Sequence, residues 1–394
     1  MNRATIEAVS NELMKICQIL IFVFTALSCA CAQTKPLRPT DVSFRNEVQR
    51  AFEKGNDFLK SAQNSNGWWS TPDHPSVTAL AVSAMMGEPG ARLKNSPEVK
   101  KGYAFILSCV KPDGGIYVTN LANYNTSISM MALLAAQDTS YNSVLRKARS
   151  FVAGMQADLG ERGKMDSPWD GGIGYSHDAG RSDMNNTLTA LEALYYSKHL
   201  VADKNPDDAK DLNWTAAIQF LQNCQNLPGV NKQDWVSTDA KDRGGFVYDP
   251  DSSKAGSATN ANGKVALRSY GSISYAGLLS YIYADVRQSD PRVQAVMNWL
   301  RANYSLEENP GMGPQGYFYY LHLMTKALTA ARVDELEIAN EKKIDWRREV
   351  AMRLINFQKA DGSWQNDNGR WWEKDPNLVT AYAVMSLETI YRGM

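Results

Sequence analysis

Gln63-Asn64-Ser65-Asn66-Gly67-Trp68-Trp69 and, near the other end of the chain, Gln358-Lys359-Ala360-Asp361-Gly362-Ser363-Trp364 decide the fold. Both read Gln-x-x-x-Gly-x-Trp, and both follow an amphipathic stretch. Upstream of the first, Phe58 to Gln63 reads as a helix end. The same ending recurs at Phe105 to Cys109, Phe151 to Gln156, Phe220 to Gln225, Trp299-Leu300 and Leu354 to Gln358. A spacing of roughly 45–80 residues is that of a helical repeat with loop insertions.

Each unit carries the same grammar. An amphipathic helix comes first; in the last unit Trp346, Val350, Leu354 and Phe357 share a face and Arg347, Arg348 and Arg353 lie elsewhere. A glycine and aromatic loop follows, at Gly67-Trp68-Trp69, Gly114 to Tyr117, Gly171 to Tyr175, Gly244 to Tyr248, Gly316 to Tyr319 and Gly362 to Trp364. Glycine lets the chain turn, and the aromatic can plug the gap between units. A second helix is apolar nearly all round, at Val77–Met86, Thr126–Ala136, Thr187–Tyr196, Ser272–Ala284, Phe318–Ala331 and Leu378–Ile390. Such a helix is buried on both sides. Six outer and inner pairs predict an all-α fold, an (α/α)6 toroid closed around a cavity, with the inner-helix starts at one mouth. Asp249–Lys264, rich in Ser, Gly, Asn and Ala, predicts a flexible surface loop.

The 394 residues balance 42 basic against 42 acidic side chains. Zero net charge supplies no electrostatic reason for a nucleic acid or an anionic membrane surface as partner. Residues 1–32 read as a targeting segment. Lys15 follows a second candidate start at Met14, and Ile16–Leu27 is too short to span a bilayer. Two exits fit: small-residue cleavage at Ala30-Cys31-Ala32, or a lipobox-like Ala26-Leu27-Ser28-Cys29 that would put a lipid on Cys29 and attach the protein to a membrane. Either implies export to the periplasm or cell envelope. Residues 33–44 then form a linker and 45–394 the repeats, as a monomer. Cys109 and Cys224 fall at equivalent places in non-adjacent units, so two buried free thiols are expected and no disulfide.

With two full matches and degenerate copies of the QW motif, residues 45–394 resemble the prenyltransferase and squalene-oxidase repeat superfamily of terpenoid cyclases. The resemblance implies the toroid; one ring hosts unrelated chemistries, so it implies no single reaction. Type II cyclases place Asp-x-Asp-Asp-Thr at an inner-helix start and protonate an alkene with the middle acid. The matching stretch here is Asp183-Met184-Asn185-Asn186-Thr187, where that acid is an amide. Asp183 and Asn185 equally suit helix caps. The zinc set of protein prenyltransferases, a DDxxD magnesium motif and the Cys-Gly-Glu-Gln thioester motif are all missing from the sequence; Asp203–Asp207 lacks the glycine and closing glutamate of a calcium loop. No metal and no cofactor is expected.

Polar and aromatic residues cluster instead near the predicted inner-helix starts. Asp183, Arg268, Tyr270 and His322 are the candidates for chemistry. His74, Tyr124, Asn185, Tyr317, Tyr320, Trp372 and Asp375 are the candidates for holding a ligand. Any one of them alone suits a hydrogen-bonded wall; their convergence on one mouth is the functional argument. Three readings stay open: an isoprenoid-processing or isoprenoid-binding toroid, a carbohydrate lyase or hydrolase, and a non-catalytic scaffold. The ligand is accordingly a small apolar molecule or a glycan in the cavity.

Overall fold

The computed structural model describes residues 39–394 except 177–180, 202–210 and 260–262. The targeting segment with Cys29, and Asp203–Asp207, lie outside the described residues. The chain divides into two units, Met1–Phe44 and Arg45–Met394; the second is described below.

Twelve α-helices occur among the described residues: α1 (Pro39–Ala62), α2 (Pro75–Gly87), α3 (Pro97–Ser108), α4 (Ala122–Ala135), α5 (Asn142–Ala153), α6 (Met184–Tyr196), α7 (Trp214–Asn223), α8 (Gly271–Tyr283), α9 (Pro291–Ala302), α10 (Tyr317–Ala330), α11 (Trp346–Phe357) and α12 (Pro376–Arg392). The even-numbered helices form a closed inner ring: α2 packs on α4, and so on round to α12, which packs back on α2. The odd-numbered helices lie outside them. This is an α/α toroid.

Burial follows the sequence pattern. Inner α8 buries every residue but Ile282, because it faces both the lumen and an outer layer. Outer α11 buries only Trp346, Val350, Ala351 and Leu354, a single stripe. Phe357, expected on that stripe, is 42% exposed. It closes the helix and packs edge-on against Tyr317 and Phe318, with centroids 5.9 and 6.0 Å away.

The repeated glutamines join the units. Gln63 Nε2 donates to Gly67 O (3.0 Å) in its own loop and to Glu98 O (2.8 Å) in the next outer helix. Gln156 does the same to Gly171 O and Asn213 O, and Gln225 to Gly244 O and Arg292 O. Gln358 donates to Gly362 O and to Ala51 O, and so ties the last unit to the first. The loop glycine lies against that same next helix. At Gly171, with φ +84°, a Cβ would fall 1.9 Å from Ala216 O, so no side chain fits.

Two residues beyond each such glycine comes the plug: Trp69, Ile116, Ile173, Phe246 and Trp364, all fully buried. Each backbone N–H is received by an inner-helix hydroxyl, from Thr78, Thr126, Thr187, Ser274 and Thr380 respectively. A buried amide without that partner would be costly.

Two expectations need correction. Tyr317-Phe318-Tyr319 begins α10 and forms no loop plug; in that unit Trp299 of α9 turns back to donate to Lys241 O (2.7 Å). Asp249–Lys264 is in part ordered into a hairpin, β1 (Ser257–Thr259) against β2 (Val265–Leu267). The reason is the short apolar run Val265-Ala266-Leu267, whose Ala266 and Leu267 are buried. A second small hairpin pairs β3 (Leu336–Glu337) with β4 (Lys343–Ile344). Cys109 and Cys224 are buried free thiols, as expected.

Candidate functional site

The lumen holds two compartments. The upper one, about 260 Å³, lies at the inner-helix N-termini. The third residue of five inner helices faces it: Val77, Tyr124, Ile273, Tyr319 and Leu378. The inner helices therefore point the same way, and their positive dipole ends converge here. From the loops, Tyr175 and Tyr248 reach in four residues after Gly171 and Gly244, and Trp371, Trp372 and Glu373 close over the mouth. The wall is mostly aromatic, tipped with hydroxyls.

The polar groups at this mouth are largely spent on helix starts, whose first N–H groups have no partner within the helix. Asp183 caps α6: its Oδ1 accepts from Asn186 N (2.9 Å) and its Oδ2 from Asn186 Nδ2 (2.8 Å). Asp375 caps α12 through Asn377 N (2.9 Å). Glu373 reaches over to accept from Tyr319 N (2.8 Å) and from Asn366 Nδ2 (2.6 Å). Asn125 and Asn309 receive Ser76 N and Ser272 N. Burial pushes the Asp183 carboxyl up to about 6, against the donors of Asn186 and the Tyr248 hydroxyl, which favour its charged form. Burial likewise raises Glu373, opposed by Asn366 and the α10 backbone. The Tyr248 and Tyr270 phenols are pushed up by burial and by the nearby Asp183 charge, so both stay protonated donors.

The lower compartment, about 370 Å³, is lined by residues nearer the C-terminal ends. It is charged. Lys326 Nζ pairs with Glu192 (2.6 Å), which also accepts from Tyr283 OH (3.2 Å). Glu388 and Arg392 stand at its edge. His322 is buried and held neutral, its pKa lowered by burial and then by Lys326.

The structure gathers His74, Tyr124, Asn185, Tyr270 and Trp372 around the upper compartment. The His74 and Trp372 rings meet edge-on at 5.0 Å, and Tyr319 OH donates to Asn185 Oδ1. His322 lines the lower compartment, beyond Tyr382. The other candidates stand away from the lumen. Asp183 is 3% exposed and sits behind Tyr248 and Asn186 in the wall. Arg268 lines neither compartment and pairs with the buried Asp242 (3.1 Å) where the hairpin ends. Tyr317 OH donates to Leu306 O and accepts from Arg353 Nε. Tyr320 OH donates to Ser305 O (2.8 Å). These two tyrosines lie two residues before and one residue after the one that does face the cavity, Tyr319; each step on a helix turns a side chain by roughly 100°. Tyr175, Tyr248, Tyr319, Tyr382 and Glu373 are the wall residues that sequence reasoning missed. The loop glycine's spacing pointed to the first two, and the register of Tyr124 to Tyr319. Among the described residues no group of His, Cys, Asp and Glu could hold a metal ion.

No family model and no curated protein matches the sequence. Solved structures do match. One is a variant of the type II terpene cyclase MstE from Scytonema without ligand, with TM-score 0.53 and 12% identity over 90% of this chain and 99% of that one. Another MstE variant, in complex with the substrate geranylgeranyl dihydroxybenzoate, gives 0.52 and 13% over 90% and 99%. An inactive variant of the GH76A α-1,6-mannanase of Salegentibacter sp., in complex with α-1,6-mannotriose, gives 0.52 and 11% over 88% and 99%. At these identities the likeness is one of fold: the chain shares the α/α toroid of terpene cyclases and of a mannanase.

Proposed function

We propose that the protein is an exported toroid that binds a small isoprenoid-like ligand, apolar along its body with one hydrogen-bonding end, in the upper compartment. The observation that carries this reading is how the wall divides its groups. Tyr124, Tyr175, Tyr248, Tyr270, Tyr319 and Tyr382 supply apolar faces and hydroxyl tips, while Asp183, Asp375 and Glu373 are engaged as caps. Such a wall orients a ligand through a few polar points and holds it by apolar contact. Among the described residues it offers no pair of free carboxylates for glycoside hydrolysis. Proton-initiated cyclisation is disfavoured as well, because the cavity-facing residue of the Asp183–Thr187 stretch is the amide Asn185. The isoprenoid substrate held by the MstE variant supports the ligand class.

Export, by either exit at the N-terminus, implies a ligand met outside the cytoplasm. The test is mass spectrometry of molecules that co-purify with the mature protein, with titration of farnesol and mannotriose followed by tryptophan fluorescence. Recovery of an isoprenoid and saturable farnesol quenching are expected. Saturation by mannotriose alone would overturn the reading. One observation favours that second, glycan reading: Trp371 and Trp372 stand 42% and 48% exposed at the mouth, as stacking surfaces for sugar rings would.

A further inference from the structure

Four residues line both compartments: Leu80, Tyr124, Tyr319 and Tyr382. Tyr124 comes from α4 and Tyr382 from α12, the two neighbours of α2 in the ring. Their hydroxyl oxygens lie 3.3 Å apart, one donating to the other. The Tyr319 ring stands 5.6 Å from that of Tyr382. Next to them the His322 ring stacks on Tyr382, at 5.2 Å and 26°, with Nδ1 3.4 Å from Ser386 Oγ. The tyrosines are thus fixed in place, from three inner helices, between the two chambers.

We infer that this tyrosine waist is the floor of the ligand site and sets the length of apolar chain that the protein accepts. The inference rests on the apolar-ligand reading above. An upper chamber of about 260 Å³ lies below the roughly 300–1,000 Å³ of typical ligand pockets, so its depth decides what fits. Each further methylene buried against such a wall is worth about fourfold in affinity. That gain stops at the waist. Beyond the rings the lower chamber is again walled largely by apolar side chains, among them Ile128, Met131, Leu188 and Leu323, so it is the rings that stop a longer chain.

The test titrates the full-length protein with geraniol, farnesol and geranylgeraniol, and reads the affinity ratio between the longest and the shortest. In the wild type affinity rises from geraniol and then falls at the length that meets the waist. Tyr382→Ala, and independently Tyr124→Ala from the other helix, raise the ratio by about tenfold or more, as the two chambers merge. Tyr382→Phe keeps the ring and keeps the limit. A wild-type affinity that climbs through geranylgeraniol, or a ratio unmoved in both alanine variants, overturns the floor but leaves the ligand class standing. Failure of all three alcohols to bind overturns both.

Discussion

Gln358 Nε2 lies 2.9 Å from Ala51 O, so a side chain at the end of the last outer helix closes the ring onto the first. The same amide donates to Gly362 O at 3.0 Å. Gln358→Leu removes both bonds and leaves the loop carbonyl without its donor. We expect a loss of about 1–3 kcal/mol in urea unfolding. Gln63→Leu, which cuts the equivalent bonds to Gly67 and Glu98, should cost a similar amount. A change under ~0.5 kcal/mol at Gln358 would show that the ring closes without this link.

The tryptophans separate packing from recognition. Trp364 is fully buried, donates Nε1–H to Leu354 O (2.7 Å) and fills the space beside Gly55. Trp364→Ala should destabilise by about 3–5 kcal/mol. Trp372 is nearly half exposed and holds a backbone φ of +67°, a region in which a bulky residue is strained and glycine is not. Trp372→Gly should therefore leave stability unchanged or raise it by up to ~1 kcal/mol, while weakening ligand binding. Thermal melts and ligand titrations of the two variants check the contrast; a strongly destabilised Trp372→Gly would contradict it.

The fold was legible because its physical requirements repeat. Closing each unit needs a glycine against the next helix and a plug beneath it, and at Gln63, Gly67 and Trp69 those needs appear as sequence. The lumen was legible only in part. Inner helices are buried on both sides, so periodicity alone does not say which of Tyr317, Tyr319 and Tyr320 faces inward; it is Tyr319, at the place that Tyr124 holds in α4. Polar residues at helix starts carry the same ambiguity. Asp183 and Asp375 look alike in sequence whether they cap or catalyse, and here both cap. Arg268 was misleading for another reason. It precedes an apolar helix, but its partner Asp242 lies in a long insert whose path the repeat does not predict.

That partner makes a prediction. Arg268 reaches Asp242 and stays outside the lumen, so Arg268→Ala should alter ligand affinity by less than twofold. Tyr270→Ala, two residues on and in the cavity wall, should weaken it by about tenfold through lost aromatic contact. Parallel titrations of the two variants test the assignment. Equal losses would return Arg268 to the binding site.

Asp183 makes stability depend on pH. Its carboxyl rises from 3.8 to about 6 in the folded ring, chiefly by burial. The folded state therefore holds this proton more tightly than the unfolded chain does. By linkage, the stabilisation is fully present below about pH 4 and is lost as pH rises through about 6. A shift of this size corresponds to ~3 kcal/mol by pH 7. Glu373 is raised too and adds the same sign, so the informative quantity is the difference between Asp183→Asn and wild type. Asn caps a helix about as well as Asp, provided the Asn186 amide, which now donates to Asp183 Oδ2, turns to offer its oxygen. The variant should match wild type near pH 4 and melt higher at pH 7, with the two curves separating between those values. Parallel curves from pH 4 to 7 would mean that Asp183 is ionised in the folded protein throughout, as an exposed cap would be.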